Sequence, residues 1–243
     1  SKVLYIPAGT FELSGIWYIF ASDVKITGAG MWYTNLKFTN PNRFGGGISG
    51  GNGSHGPDGY CNNVEICNLY LNSNLRSRHN QQAVYKCFMD VFKGGSVIHH
   101  VWEDHFECGF WIGDYNGKVD YSNGVKIISC RIRNNFADGV NFCQGTSNAT
   151  VYNCSVRNNG DDGLAMWNDE TMGAMDEKNN TFAYNTIELI WRAGGIAIYG
   201  GDGHKIYNNY IADMFMAAGI HLNDVFPGPK YKNTLKISFD NNI

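Results

Sequence analysis

Long apolar runs are missing from this 243-residue chain: the longest, such as Gly195-Ile196-Ala197-Ile198-Tyr199, fall far short of the roughly 20 residues a membrane helix needs. Charge is scarce as well, at 17% of residues against a usual share of about 25%. The 19 basic and 22 acidic side chains leave a net charge of -3, so a basic surface that tracks nucleic-acid phosphates is not expected. Proline occurs only five times. The seven cysteines are an odd number without a C-x-x-C pair, which argues against both a zinc ribbon and a complete disulfide framework. No charged, then apolar, then small-residue leader opens the chain; Lys2-Val3-Leu4-Tyr5-Ile6 already reads as a strand.

What is present in quantity is hydrophobic material (43%), aromatic rings (14%) and thirty glycines, enough for a packed core with many corners. The chain also repeats itself. Val125-Lys126-Ile127-Ile128-Ser129-Cys130-Arg131-Ile132-Arg133-Asn134-Asn135 returns 24 residues later as Thr150-Val151-Tyr152-Asn153-Cys154-Ser155-Val156-Arg157-Asn158-Asn159. The phrase recurs at Phe182 and Ile206, with weaker copies from Val64, Val97 and Leu235. Each strong copy, and the weaker one from Val97, is followed by a short run led by glycine: Gly109, Gly139, Gly163, Gly195 and Gly219.

These runs alternate in period two, so they read as strands, and the glycines exclude a helix. A unit of about 24 residues with two or three short strands predicts a parallel β-helix, one unit per rung. Leucine-rich repeats would need a helical segment, and propeller blades about 40–45 residues. The expected fold is all-β, a single solenoid over residues 1–243. The closing phrase breaks off before its glycine-led strand, so the chain reads as an excerpt truncated at both ends.

Stacked rungs turn equivalent positions into ladders. Aligning the glycines places Cys108, Asp138, Asp162, Gly194 and Ala218 in one column, and Glu107, Ala137, Asp161, Ala193 and Ala217 in the one before it. Asp138 should therefore lie directly beneath Asp162, with Asp161 alongside, and no basic partner is visible in the ladder. Asp-Gly is a common turn sequence. Three like charges gathered on one face are nevertheless costly, and they raise the proton affinity of at least one member. Calcium ligation is the other reading of such a cluster, and a structural calcium ion stays open on these grounds. Trp111, Asn141 and His221 fall at outward positions of the same strands, and Trp167, Tyr199 and Asn223 follow one step later. Rings for apolar sugar faces beside amides and imidazole for hydroxyls suit a groove for a neutral sugar chain. No metal ligand set is expected at His221. Cys67, His100, Cys130, Cys154, Asn185 and Asn209 are read as one turn column, with its cysteines packed rather than reactive.

The segments Asn135-Phe136-Ala137-Asp138-Gly139-Val140-Asn141-Phe142 and Asn159-Gly160-Asp161-Asp162-Gly163-Leu164-Ala165-Met166-Trp167 resemble the catalytic core of glycoside hydrolase family 87, the bacterial α-1,3-glucanases and mycodextranases. The likeness is specific over residues 125–170 and looser elsewhere. It implies a right-handed, pectin-lyase-like β-helix and catalysis by Asp138, Asp161 and Asp162. It further implies a secreted, monomeric, endo-acting enzyme on a neutral α-glucan (α-1,3-glucan or nigeran), with no cofactor required. Family domains are longer than this chain. Polygalacturonases and family 49 dextranases share an Asp followed by an Asp-Asp pair. The uronate-binding Gly-His-Gly and Arg-Ile-Lys motifs of the former are missing from Arg192-Ala193-Gly194-Gly195-Ile196-Ala197-Ile198-Tyr199. A non-catalytic carbohydrate-binding β-helix is the alternative from another class. A lyase is disfavoured because Arg131, Arg133 and Arg157 lie in the repeat phrase, away from the aspartates. The expected chemistry is inversion: Asp161 as general acid, Asp138 and Asp162 together holding and deprotonating water, with acid and base about 6.5–9.5 Å apart.

Overall fold

The structure, a computed structural model, describes residues 2–40, 42, 45–52, 59–73, 85–113, 121–169, 171, 173, 175–223 and 238–243. Its strands stack in parallel into a β-helix. The fifteen-stranded sheet carries two strand positions per rung, as in Lys126–Ile128 and Arg131–Arg133, and the eight-stranded sheet carries the glycine-led position. A short third pairing joins Cys61–Asn62 to Phe92–Lys93. Towards the N-terminus the first two positions fuse into unbroken strands, Glu65–Ser73 and Val97–Asp104. These are the weaker copies of the repeat. The start of the copy at Leu235 lies outside the described residues, and Ser238–Asp240 pairs onto Lys205–Tyr207.

Alternation fills the coil. In the eight-stranded sheet Phe88, Phe110, Val140, Leu164 and Ile196 pair in register, point inward and are fully buried, with Phe88 and Phe110 stacked at 4.7 Å. Each such side chain contributes about 1.5–3 kcal/mol on burial. The glycines that precede these strands are required for space. A Cβ on Gly139 would lie 2.6 Å from the Gly163 carbonyl oxygen, and Gly163 has the same relation to Gly195. Their φ angles lie outside the left-handed region. Among the described non-glycine residues, left-handed corners are taken most often by asparagine, as at Asn153 (φ 54°) and Asn208 (φ 55°), where an amide side chain tolerates that backbone.

Beside those corners runs an internal hydrogen-bond ladder. The backbone N–H of Asn185 donates to Asn209 Oδ1 at 3.0 Å, and that of Cys154 donates to Asn185 Oδ1 at 2.9 Å. Sulfur continues it one rung on, Cys130 N–H reaching Cys154 Sγ at 3.4 Å; all seven cysteines are free. The expected column is corrected at two members. Cys67 pairs with His99 and His100 occupies a left-handed corner, because the unbroken strands pass the turn position with Leu69 and Val101 instead.

Candidate active site

The glycine alignment holds in register. Gly109 N–H donates to Asp138 O at 3.1 Å and Gly139 N–H to Asp162 O at 3.0 Å, so Cys108, Asp138, Asp162 and Gly194 occupy one column. Asp138, Asp161 and Asp162 converge, each offering a carboxylate oxygen within 4.8 Å of the others. Two of the three are buried, Asp138 at 6% and Asp162 at 3% exposure, while Asp161 is half-buried at the surface.

Their environments differ. Burial, reinforced by the charge of Asp162, pushes the proton affinity of Asp138 up to about 7, against a side-chain hydrogen bond from Asn141. Burial also raises Asp162, but donors aimed at its charged form oppose that. Tyr199 Oη donates to Oδ2 at 2.8 Å and Gly194 N–H to Oδ1 at 2.8 Å. Tyr199 Oη also lies 2.9 Å from His221 Nε2. A side chain at position 194 would strike the His221 ring, since a Cβ there would come within 2.8 Å of it. Glycine thus serves twice, leaving an open N–H for Asp162 and room for the imidazole.

Asp161 accepts a hydrogen bond from Arg192 Nη2, and Arg192 Nε donates to Gly160 O at 3.0 Å. The expectation of no basic ladder partner is therefore overturned. Arg192 lies one rung on from Asp161 and one residue upstream of the facing position, a register that the glycine alignment contains but that a search of the aspartate column alone misses. Lys86 is a second cation, in the same column as Cys108. It pairs with Glu107 and lies 4.8 Å from the Trp111 ring centroid. No glycine leads its strand, which left it outside the repeat.

Trp111, Asn141, Ala165, Ala197 and His221 form the expected middle column. Trp167 and Tyr199 pair in the next, where exposed Asn223 follows. The rings of Trp111 and Trp167 meet edge to face at 6.0 Å. Asn141 and Tyr199, read from sequence as sugar contacts, are engaged with Asp138 and Asp162 respectively. A set of three carboxylates also has the donors a hard cation such as calcium prefers. Arg192, Tyr199 and the Gly194 N–H already supply donors to Asp161 and Asp162. Arg131, Arg133 and Arg157 do lie on the other sheet, as expected.

The family model for the α-1,3-glucanase catalytic domain D2 matches residues 1–240. Among solved structures, the Agl-KA catalytic domain is 50% identical with a TM-score of 0.90, covering 99% of this chain and 42% of that one. A GH87 α-1,3-glucanase catalytic domain in complex with nigerose is 25% identical, with a TM-score of 0.76, over 99% of this chain and 40% of that one. The A-module of the Azotobacter vinelandii mannuronan C-5 epimerase AlgE6, at 17% identity and a TM-score of 0.57, shares the fold alone; it covers 99% of this chain and 77% of that one. The search of curated proteins returned no match. The chain thus spans about 40% of the length of these two α-1,3-glucanase catalytic domains.

Proposed function

Since the chain belongs to the glycoside hydrolase family 87 α-1,3-glucanase catalytic domains, we propose that it hydrolyses α-1,3-glucosidic bonds of a neutral glucan, within the polymer, with inversion at the anomeric carbon. The observation that carries this reading is the stacking of Asp138 and Asp162 with Asp161 beside them. It is supported by relatives solved with aspartate-to-alanine substitutions and bound nigerose or tetrasaccharides. The substituted positions in those relatives are separated by 23 residues and then one, as are Asp138, Asp161 and Asp162.

In the proposed mechanism Asp161, the most accessible of the three, takes up a proton from solvent once a sugar has displaced Arg192 from it, and then gives that proton to the leaving oxygen. Asp162 is the base, its charge steadied by Tyr199 and the Gly194 N–H. Asp138 holds its proton around neutrality and hydrogen-bonds the same water, so the buried pair shares one proton as stacked acids do. Water attacks the anomeric carbon, the glycosidic bond breaks, and Asp162 takes the water's proton. Trp111 and Trp167 offer faces to the sugar rings, with His221 and Asn223 further along the groove. No metal or cofactor enters this scheme. A polymeric substrate does not cross a membrane, so the enzyme would act outside the cell, as a monomer.

Inverting and retaining mechanisms call for different separations of the two carboxyl groups, about 6.5–9.5 Å against about 5–5.5 Å. Proton NMR of early products from α-1,3-glucan and nigeran, with dextran and polygalacturonate as controls, decides between them. The β-anomer is expected first; initial α-anomer establishes retention, and turnover of polygalacturonate alone overturns the neutral-glucan assignment.

A further inference from the structure

The fifteen-stranded sheet carries a second cluster of chemically distinct side chains on its outer surface. Lys25 pairs across the strands with Glu65, and Thr27, Cys67 and His99 stand in register on three successive rungs. Ile66 and Ile98 fill the coil, so Glu65, Cys67 and His99 point away from it, Glu65 and His99 half-buried and Cys67 covered by its neighbours. His99 Nε2 lies 3.0 Å and Cys67 Sγ 3.8 Å from Glu65 Oε1, and the three donor atoms all lie within 4.8 Å of one another. Among the described residues this is the one such cluster that unites a thiol, an imidazole and a carboxylate. A surface cavity bounded by Asp23, Lys25 and Val97 opens onto Glu65 and His99.

We propose that Glu65, Cys67 and His99 form a zinc site clipping together the rungs built on Glu65–Ser73 and Val97–Asp104. Tetrahedral zinc, with bonds of about 2.0–2.3 Å to nitrogen, oxygen and sulfur, spaces neighbouring donors about 3.3–3.6 Å apart, so the spacings found here need only small side-chain adjustments. The mixed set suits zinc rather than calcium or magnesium, which take oxygen ligands. His99 Nδ1 lies 2.8 Å from His100 Nδ1. In the bound state His99 Nδ1–H donates to His100 and leaves the Nε2 lone pair for the metal, the outer hydrogen bond that ligating histidines usually make. Cys67 binds as thiolate, its proton passing to solvent. The cavity leaves the fourth position to water. Lys25 is the built-in competitor: its ammonium lies 2.7 Å from the same Glu65 oxygen and must swing away.

Titration of the reduced full chain with zinc, and separately with cobalt(II), tests this. One equivalent is expected to bind, with a thiolate-to-cobalt charge-transfer band in the near ultraviolet and a rise in Tm on adding zinc. Cys67→Ser should abolish the band, His99→Ala should weaken binding about 100-fold, and Lys25→Ala should tighten it. Binding that persists in both ligand variants places the metal elsewhere, the three aspartates included, and overturns the proposal. So does a wild-type chain without the band, a readout that does not depend on the variants folding.

Discussion

Two pairs of buried carboxylates in this coil share a physical burden and differ in everything else. Glu103 and Glu177 are fully buried; Asp138 and Asp162 are nearly so. Burial raises the proton affinity of all four. Glu103 sits in an inward column otherwise filled by Leu71, Ile132, Val156 and Ile187, and only its Oε1 accepts a bond, from Asn135 Nδ2 at 2.7 Å. Among the described residues neither carboxylate oxygen of Glu177 has a hydrogen-bond partner. The aspartates instead lie beside the partly exposed Asp161, and donors stabilise a charge on Asp162. Under the proposed mechanism, desolvation alone makes a silent acid. A reactive one also needs donors aimed at the anion and a path for a substrate.

That contrast can be broken experimentally, most strongly at the chemistry. Asp162→Asn should lower kcat about 10⁴-fold, whereas Glu177→Gln should leave it within about twofold, measured as reducing ends released from α-1,3-glucan. Comparable losses in folded protein would erase the distinction between the pairs. Asp161→Asn should be nearly as damaging on glucan, yet largely spared on a glucoside with an excellent leaving group, which needs no protonation. Equal loss on both substrates would transfer the acid role away from Asp161, with Asp138 next in line.

Smaller effects sharpen the same comparison. Asp138 keeps its proton up to about pH 7, so kcat/KM is expected to fall as pH rises through about 7 and the pair takes on a second charge. A profile flat across that range would show that the shared proton is irrelevant. Tyr199→Phe removes one donor from Asp162 and should cost about 10-fold in kcat, with the optimum displaced because the anion is less favoured. The smallest effect concerns stability. The proton affinity of Glu177 in the folded chain exceeds that in the unfolded one. The native state thus binds the extra proton above the unfolded value, and stability falls with rising pH by up to about 1.4 kcal/mol per pH unit. Glu177→Gln should flatten the decline of Tm with pH above the ordinary glutamate range; an unchanged slope would contradict its burial as an acid.

Much of this architecture is legible without coordinates, for a reason specific to solenoids. Register in a parallel coil follows from repeat spacing, so aligning Gly109, Gly139, Gly163 and Gly195 was enough to superpose Asp138 on Asp162 and to align Trp111 with Asn141 and His221. The register signal weakens where the repeat does. In the fused strands Glu65–Ser73 and Val97–Asp104 the corner signal is lost, and the column assigned to Cys67 and His100 belongs to Leu69 and Val101. Lys86 escaped notice for the same reason. Side-chain reach is a different matter. That Arg192 bonds back to Asp161, and that Asn141 and Tyr199 spend their polar groups on aspartates, depends on rotamers and cross-rung distances that periodicity does not encode.

The sequence by itself determined the strand pattern, the rung length and the convergence of three aspartates on one face, because period-two alternation and steric exclusion at the stacked glycines act locally and repeat. Only the tertiary structure decided which of those acids is sealed from water, which is held by an arginine and which is fed by a tyrosine and a backbone N–H. Those distinctions arise from desolvation and hydrogen bonding between residues on neighbouring rungs, distant along the chain and adjacent in space.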